Sequence, residues 1–403
     1  MAIATEYREN SSSVVTSPPF GQFDFGLTDE QEKRAASLHA ESTIVDMLFQ
    51  GPCGYRSFDD AMTRELEDAW STDRDLVRGW NRVIDLPVRR ALDGASSEFE
   101  TCWKASGITA GTRERDILSV EDIVRGFAIA HAQFDRLSWL LSALEPADIR
   151  RAKKTGGAAA FVNSQDTIGF GHDLTLVECA VDLGLRMLQL TYNSQNLVGC
   201  GCTERHDSGI SHFGVEMIRR LNELGVLIDT SHCGPSTTLD ACSISEAPVI
   251  ASHTTAAALY DVDRAKSDDE LRAIAESGGL IGVCAVPFFL APEPAPTINA
   301  MLDHITYIAD LVGVEHVAIG TDWPLQMPKW ALVQIAQPWA KAFGFRDEHR
   351  IDCELNLIGF DDYRDFPNIT RGLVHRGYSD ESIKLILGEN FLRVFGAVRD
   401  ARA

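Results

Sequence analysis

The sequence contains no apolar run that approaches the roughly 20 residues of a membrane-spanning helix. Residues 1–20 lack the apolar core of a secretory signal peptide, and residues 398–403 lack the hydrophobic tail of a lipid-anchor signal. These absences predict a protein that has no membrane partner.

Positive charge is scarce relative to negative charge. Lysine and arginine together number 37, against 59 aspartates and glutamates, so the formal net charge is −22 at pH 7. The acidic residues are spread along the chain and are not collected in one tail. Such a surface repels phosphate backbones and anionic lipid. We therefore expect a small-molecule substrate as the partner, and neither nucleic acid nor a membrane.

Paired cysteine motifs are also missing. The chain has nine cysteines, an odd number, and only Cys200 and Cys202 lie close together in the sequence. A single C-x-C without a second pair is a weak indication of a zinc site. Scattered thiols are typical of a protein in a reducing compartment, so we expect a cytoplasmic location.

A glycine-rich phosphate turn after the first predicted strand is absent, which disfavours an open, doubly wound sheet. Instead, short apolar runs recur along the 403-residue chain, with amphipathic segments between them. Strands that alternate with helices in this number predict one closed (β/α)8 TIM barrel, which can reach this length with insertions. The predicted strands are residues 43–47, 107–111, 159–163, 186–190, 226–229, 248–252, 280–284 and 317–320.

Four segments define the predicted domain organisation. Residues 1–39 form an N-terminal arm that is partly flexible, and residues 40–397 form the single barrel. Two insertions interrupt the barrel, near 52–105 after the first strand and near 324–366 after the last strand. Because both insertions follow strands, we expect both to overhang the barrel mouth as lids or as dimer contacts.

Two histidines stand at the ends of short apolar runs. His232 ends the run that begins at Val226, and His253 ends the run that begins at Ala247. Buried parallel strands have this composition, and a barrel presents its strand ends at one mouth, where chemistry takes place. Neutral imidazoles suit a divalent metal such as zinc. The pattern predicts His232 and His253 as metal ligands.

A carboxylate and a guanidinium complete the candidate site. Asp322 ends the run that begins at Val317, and it could ligate the metal or act as general base on a metal-bound water. Arg264 lies between His253 and the helix start at Ser267. Its planar fork could hold a substrate carboxylate, and a surface salt bridge is the alternative.

Several short segments form a specific combination: 183–186 (LGLR), 190–193 (LTYN), 209–214 (GISHFG), 229–232 (DTSH), 252–253 (SH), Arg264, 320–322 (GTD) and 388–391 (GENF). In these segments the chain resembles the membrane dipeptidase (renal dipeptidase, peptidase M19) family of the amidohydrolase superfamily, from about residue 40 to residue 397. The resemblance implies a barrel, a metal centre, hydrolysis of dipeptides or related amides, and commonly a homodimer.

The chain departs from that family at several ligand positions. The family places a His-x-Asp pair at the end of the first strand, where this chain has Leu48 and Gln50. Its bridging Glu corresponds to Gln165, and its substrate-facing His corresponds to Tyr192. A carboxamide is uncharged and has one acceptor oxygen, so it does not bridge two cations as a carboxylate does. We therefore expect one divalent metal, with zinc as the expected ion, held by the two histidines.

Three polar residues are predicted to contact the substrate at the mouth: Gln165, Tyr192 and Asn193. The hydroxyl of Tyr192 has an ordinary pKa near ~10 and could donate a proton or stabilise an oxyanion. The alternative for Tyr192 is an aromatic ring that packs under the lid.

The sequence favours a metal-dependent hydrolase that cleaves an amide-type C–N bond in a small amino-acid-like substrate. Asp322 would take the proton of the attacking water and Arg264 would hold the substrate carboxylate, while ordinary dipeptidase activity is expected to be weak. Two alternatives stay open: a lyase or decarboxylase that uses the same metal, and a metal-free binding protein. Metal analysis separates the binding protein from the enzymes, and incorporation of labelled solvent oxygen separates hydrolysis from lyase chemistry.

Overall fold

A closed barrel of eight parallel strands forms the centre of the protein. The computed structural model describes residues 20–51, 58–114, 118–292, 295–325 and 327–402. In this part of the chain the strands are β1 (Val45–Asp46), β2 (Ala110–Glu114), β3 (Leu140–Ser142), β4 (Ala158–Ser164), β5 (Leu185–Gln189), β6 (Leu227–Asp229), β7 (Val249–Ala256), β8 (Ala265–Lys266), β9 (Leu280–Val283) and β10 (Val317–Ile319).

The order of strands around the barrel is β1, β2, β4, β5, β6, β7, β9 and β10. The barrel closes where Asp46 of β1 pairs in parallel with Ile319 of β10. On the other edge of β1, Val45 pairs in parallel with Ala110 of β2. Each of the eight predicted runs overlaps one barrel strand, and the prediction of a (β/α)8 TIM barrel is confirmed.

Two short strands were not predicted. The strand β3 pairs with the first residues of β4, and β8 pairs with the last residues of β7. Both extend the sheet locally and leave the closed ring unchanged. The ring therefore contains only the strands that the apolar runs predict.

Helices surround the barrel, and α8 illustrates how the sequence sets their limits. Ser211 begins it, because its hydroxyl accepts a hydrogen bond from the main chain of Gly214 (3.0 Å). Met217 and Leu221 are buried, and Gly225 ends the helix at φ 66°, a conformation that favours glycine. The helices are α1 (Asp29–Glu41), α2 (Asp60–Thr72), α3 (Leu76–Leu92), α4 (Glu98–Ser106), α5 (Val120–Arg136), α6 (Pro146–Thr155), α7 (Leu174–Asp182), α8 (His212–Leu224), α9 (Pro235–Ile244), α10 (Asp268–Glu276), α11 (Pro287–Leu290), α12 (Ile298–Val312), α13 (Lys329–Ala331), α14 (Gln337–Ala342), α15 (Pro367–His375), α16 (Asp380–Lys384) and α17 (Asn390–Asp400).

The barrel interior changes from apolar to polar along the strands. Phe161 of β4 stacks on Phe391 of α17, with ring centroids 5.0 Å apart, within a buried apolar cluster that includes Met187 and Leu227. Two residues after Phe161, Asn163 lies on the same side of β4, because side chains alternate along a strand. Polar side chains therefore begin one layer above the apolar cluster.

The two insertions pack against each other. The helices α2 and α3 lie within 52–105 and α4 ends one residue beyond it, while α13 and α14 lie within 324–366. The indole of Trp80 on α3 stacks on that of Trp339 on α14, with centroids 4.8 Å apart. Residues 52–57 lie outside the described residues.

The part of the predicted arm that the structure describes packs onto the C-terminal helices. Glu32 of α1 forms an ion pair with Arg371 of α15 (2.5 Å), and the main chain of Gly21 donates to Asp365 (2.8 Å). Residues 1–19, the remainder of the predicted arm, lie outside the described residues. Among the described residues, no helix is both long enough and apolar enough to cross a membrane.

Candidate active site

His232 and His253 meet at the mouth of the barrel. His232 follows the end of β6, and His253 lies within the neighbouring β7; both side chains are buried. Their Nε2 atoms are 2.9 Å apart. The structure therefore brings the two predicted metal ligands together, and the atoms that face each other are those that would bind a metal.

Hydrogen bonds at the other ring nitrogens assign the tautomers. Asn193 donates its amide to the carbonyl of Phe343 (2.8 Å), so its Oδ1 faces Nδ1 of His232 (2.8 Å) and accepts from it. Ser252 donates its hydroxyl to Asp229 (2.5 Å), so its oxygen accepts from Nδ1 of His253 (2.8 Å). Both histidines thus carry their protons on Nδ1 and present Nε2 lone pairs to each other.

Burial keeps both imidazoles neutral. Desolvation lowers the pKa of His232 and of His253 well below the usual value, and the positive charge of Arg264 lowers both further. Two facing lone pairs at this distance repel each other unless an electron-deficient partner lies between them. A divalent cation satisfies that requirement without protonating either ring.

Two glycines allow the main chain of β7 to lie close to its neighbours. A Cβ atom at Gly282 would lie 1.9 Å from the carbonyl oxygen of Ser252, and one at Gly320 would lie 1.8 Å from the same oxygen. Any larger residue at either position would displace Ser252 and, with it, the adjacent His253. These glycines therefore set the position of a candidate ligand.

Asp322 approaches the histidines from the last strand. Its Oδ2 is 3.9 Å from Nε2 of His253, and its Oδ1 accepts a hydrogen bond from the amide of Gln50 (2.8 Å). Burial raises its pKa to about 6, although the hydrogen bond from Gln50 and the charge of Arg264 oppose the rise. Asp322 also has φ 53°, a left-handed conformation that non-glycine residues adopt rarely and often at functional sites.

The first strand supplies neighbours to this site and no charged ligand. The carbonyl of Leu48 accepts from the main chain of Asp322 (2.9 Å), and Gln50 directs its N–H to the Asp322 carboxylate. Within the described part of the chain, no group of three or more His, Cys, Asp or Glu side chains forms a metal-binding cluster. The site therefore offers fewer ligands than a closed structural zinc site.

The three predicted substrate contacts lie at different depths. Gln165 and Tyr192 line a cavity of about 70 Å³ together with His232 and Asp322. The ring of Tyr192 stacks on His232, with centroids 4.0 Å apart and an interplanar angle of 22°. Asn193 is buried and uses both ends of its amide to hold His232 against Phe343. A substrate contact by these residues stays a prediction. Asn193 also positions His232, a contact that no sequence pattern predicted.

Arg264 is buried and does not lie in a surface salt bridge. It donates to the main-chain carbonyls of Ser231 and His253, the latter at 3.0 Å, and its guanidinium lies 5.7 Å from the ring centroid of Phe289. It lines a second cavity of about 280 Å³, which shares Phe289 and Phe345 with the first. Its predicted hold on a substrate carboxylate stays a prediction.

Asp229 supports His253 through hydrogen bonds that its position in the sequence did not predict. Its carboxylate accepts from the main chains of Ser231 (3.0 Å) and Ser252 (2.9 Å) and from the hydroxyls of both serines. The sequence did carry one signal for this role, since a serine precedes each candidate ligand. A hydroxyl next to a buried histidine suggests a hydrogen bond that holds the histidine in place.

The profile of the membrane dipeptidase family, peptidase family M19, matches residues 32–331 and 353–403. The chain belongs to this family. Family membership supports a hydrolase, and it agrees with the barrel fold.

Relatives of this M19 chain span most of its length. It is 28% identical over 390 residues to dipeptidase verJ of Clonostachys rogersoniana, covering 93% of this chain and 89% of the relative. A crystal structure of an amidohydrolase from Pseudomonas aeruginosa superposes with a TM-score of 0.71 at 26% identity, covering 91% and 99% of the two chains. The probable dipeptidase PvdM of the same organism gives 0.68 at 20% identity, covering 93% and 100%, which shows the shared fold.

Proposed function

We propose that this M19 protein is a metal-dependent hydrolase that cleaves an amide-type C–N bond in a small amino-acid-like substrate. The observation that carries the proposal is the convergence of the Nε2 lone pairs of His232 and His253, 2.9 Å apart, with both Nδ1 atoms hydrogen-bonded elsewhere. Two oriented, neutral imidazoles are ligands that zinc prefers.

The donor set fits one cation and not two. Among the described residues that line the cavity with His232, one carboxylate is present, that of Asp322. Leu48 has no ligand atom, and Gln50 and Gln165 are neutral carboxamides, so nothing at these positions balances the charge of a second cation. We therefore expect a mononuclear site, with zinc as the expected ion.

Asp322 is proposed as the general base. A divalent cation bound at the histidines would polarise the substrate carbonyl and lower the pKa of water. Gln50 occupies Oδ1 of Asp322 and leaves Oδ2, the oxygen nearer to His253, to accept the proton of the attacking water. The same oxygen then returns the proton to the leaving nitrogen, so that amine and carboxylate are released.

Arg264 is proposed to hold a carboxylate of the substrate. Its Nη1 and Nη2 atoms donate to main-chain carbonyls, whereas its buried Nε–H has no acceptor within the described structure. A substrate carboxylate that reached this donor would pair with the guanidinium charge. A homodimer and a cytoplasmic location accompany this proposal as expectations.

Metal content tests the proposal directly. Protein purified without chelator and then loaded with zinc should contain one tightly bound ion per chain by elemental analysis. Two fully occupied ions about 3.5–4 Å apart, as in two-metal hydrolases, would contradict the mononuclear site. Absence of any bound ion would favour the metal-free binding protein.

Activity tests separate the reaction classes. On a panel of L-L and L-D dipeptides, kcat/KM should fall below the usual lower range of about 10⁴ M⁻¹s⁻¹, because one cation's charge is missing. Once a substrate is known, Asp322→Asn should abolish turnover and preserve substrate binding, since an amide does not accept a proton at neutral pH. Near-wild-type kcat in that variant, or no labelled solvent oxygen in the product, would favour a lyase.

A further inference from the structure

An aromatic chamber lies directly beside the candidate active site. We use this name for the cavity walls formed by Trp80, Phe288, Phe289, Trp323, Trp339 and Phe345. His232 and Asp322 border the same cavity, whose volume is about 70 Å³. A ligand that reaches His232 could therefore place an adjoining group in the chamber.

The chamber has almost no charge. Among its described lining residues, Asp322 alone carries a formal charge, and no lysine or arginine is present. Arg264 lines the neighbouring cavity, which shares Phe289 and Phe345 with the chamber. A carboxylate in the chamber would lose its water without gaining a basic partner from the walls, and it would face Asp322. The chamber therefore suits an uncharged group.

Two walls of the chamber carry unused hydrogen-bond donors. The indole N–H groups of Trp323 and Trp339 are buried, and neither has an acceptor within the described structure. Buried N–H groups without an acceptor are rare in native proteins, and the indole N–H of a buried tryptophan normally has a hydrogen-bond partner. A ligand carbonyl oxygen that reached either enclosed N–H as the chamber opened would satisfy that donor.

Stacked rings connect the chamber to His232. Tyr192 stacks on His232, and its edge approaches Trp339 with ring centroids 5.9 Å apart. Trp339 in turn stacks on Trp80 across the two insertions. Aromatic groups pack favourably against such edges and faces. A ring that entered the chamber would extend this series of contacts.

We propose that the chamber is a subsite for an aromatic or large apolar side chain of the substrate, with an adjoining carbonyl that accepts from Trp323 or Trp339. The position of the cleaved bond depends on the proposed function, whereas binding of a side chain in the chamber does not. A dry cavity of about 150 Å³ holds benzene, and the chamber has about 70 Å³. A benzene-sized ring needs about twice this volume, so the walls of the chamber must move apart to admit it.

Calorimetry with three uncharged-backbone probes tests the side-chain preference. The probes are the N-acetyl amides of phenylalanine, alanine and glutamate, which differ only in the side chain. The full-length protein is used after metal removal and again after zinc loading. We expect the phenylalanine probe to bind at least about tenfold more tightly than the other two, since it buries a whole ring. Equal or tighter binding of the glutamate or alanine probe would overturn the subsite.

Three tryptophan-to-phenylalanine variants test the donors. Trp339→Phe and Trp323→Phe each keep an aromatic ring and remove the indole N–H. At least one of them should weaken binding of the phenylalanine probe about fivefold to tenfold. Trp70→Phe is the matched control, because the indole N–H of Trp70 is also buried without an acceptor in the described structure but Trp70 does not line the chamber. It should leave affinity unchanged. Equal effects in all three variants, or none at Trp323 and Trp339, would overturn the assigned hydrogen bond.

The outcome is separable from that of the proposed function. If the zinc-loaded protein held no ion but still bound the phenylalanine probe most tightly, the proposal of a metal-dependent hydrolase would be wrong and the proposed subsite would stand. If the ion bound but the phenylalanine probe bound no more tightly than the other two, only the proposed subsite would be wrong.

Discussion

On the β6–β7 side of the barrel mouth, the Asp229 carboxylate accepts from two serines, and one of them, Ser252, holds the ring of His253. On the β1–β10 side, the Asp46 carboxylate accepts from the main chain and hydroxyl of Thr321, at 2.8 and 2.6 Å. Both carboxylates are buried and both join adjacent strands. Only the first also orients one of the two histidines that are candidate metal ligands.

This difference separates two uses of a buried carboxylate. The main chain of Leu48 donates to Asp46 (3.2 Å), but the side chain of Leu48 has no ligand atom for the carboxylate to support. The strand-joining hydrogen bonds are therefore present on both sides, whereas the metal-supporting function is expected on one. Changes on the two sides should affect metal affinity and stability differently.

Removal of a candidate ligand should have the largest effect. His253→Asn should reduce metal affinity by more than about 100-fold, since even loss of an outer-shell partner costs about 10–100-fold. Equilibrium dialysis with zinc measures the affinity. The matched control is His304→Asn, because His304 is also buried but bonds to the main chains of Ala256 (3.0 Å) and Leu290 (2.9 Å). Equal zinc affinity in the two variants would show that His253 is not a ligand.

Loss of the serine hydroxyl should have the next largest effect. Ser252→Ala removes the acceptor for Nδ1 of His253 and should reduce zinc affinity by about 10–100-fold. Thr321→Val removes the corresponding hydroxyl on the opposite side, which donates to Asp46, and should leave zinc affinity unchanged. If Thr321→Val weakened zinc binding as strongly, the two sides would not differ as described.

The same comparison shows what the sequence could and could not predict. Eight strands were predictable because each is buried on both faces and so reads as an apolar run. The strand β8 was missed because its two residues, Ala265 and Lys266, give no such signal. The approach of His232 and His253 was expected because neighbouring parallel strands end together. Only His232 follows the end of its strand, however, since β7 continues past His253 to Ala256.

Contacts between distant segments carried no such local signal. Asn193 was predicted to contact substrate, and no sequence pattern shows that both ends of its amide are engaged by His232 and Phe343. Trp80 and Trp339 lie in different insertions, and only the folded chain brings their rings together. Side-chain partners across insertions depend on three-dimensional packing, whereas strand positions depend on local composition.

A change of Asp46 should affect stability without affecting the metal. Asp46→Asn places an amide N–H where two donors of Thr321 and the N–H of Leu48 now converge. At least one buried donor loses its acceptor, so the free energy of unfolding should fall by about 1–3 kcal/mol. Urea unfolding of metal-free protein measures this change, and zinc dialysis on the folded variant should give the wild-type affinity. A weaker zinc affinity in this variant would contradict the separation of the two sides.

The pH dependence of stability provides a final test of Asp46. Burial raises its pKa to about 7, against the hydrogen bonds from Thr321 and Leu48, which lower it. An unfolded aspartate has a pKa near ~3.9, so the folded protein binds an additional proton between these values. The contribution of Asp46 to stability is therefore complete below about pH 4 and declines as pH rises toward 7. In Asp46→Asn, the free energy of unfolding should therefore decline less steeply between pH 5 and 8 than in the wild type. Urea unfolding of the metal-free protein measures this slope. An unchanged slope would mean that Asp46 is ionised throughout the range and that its hydrogen bonds outweigh its burial.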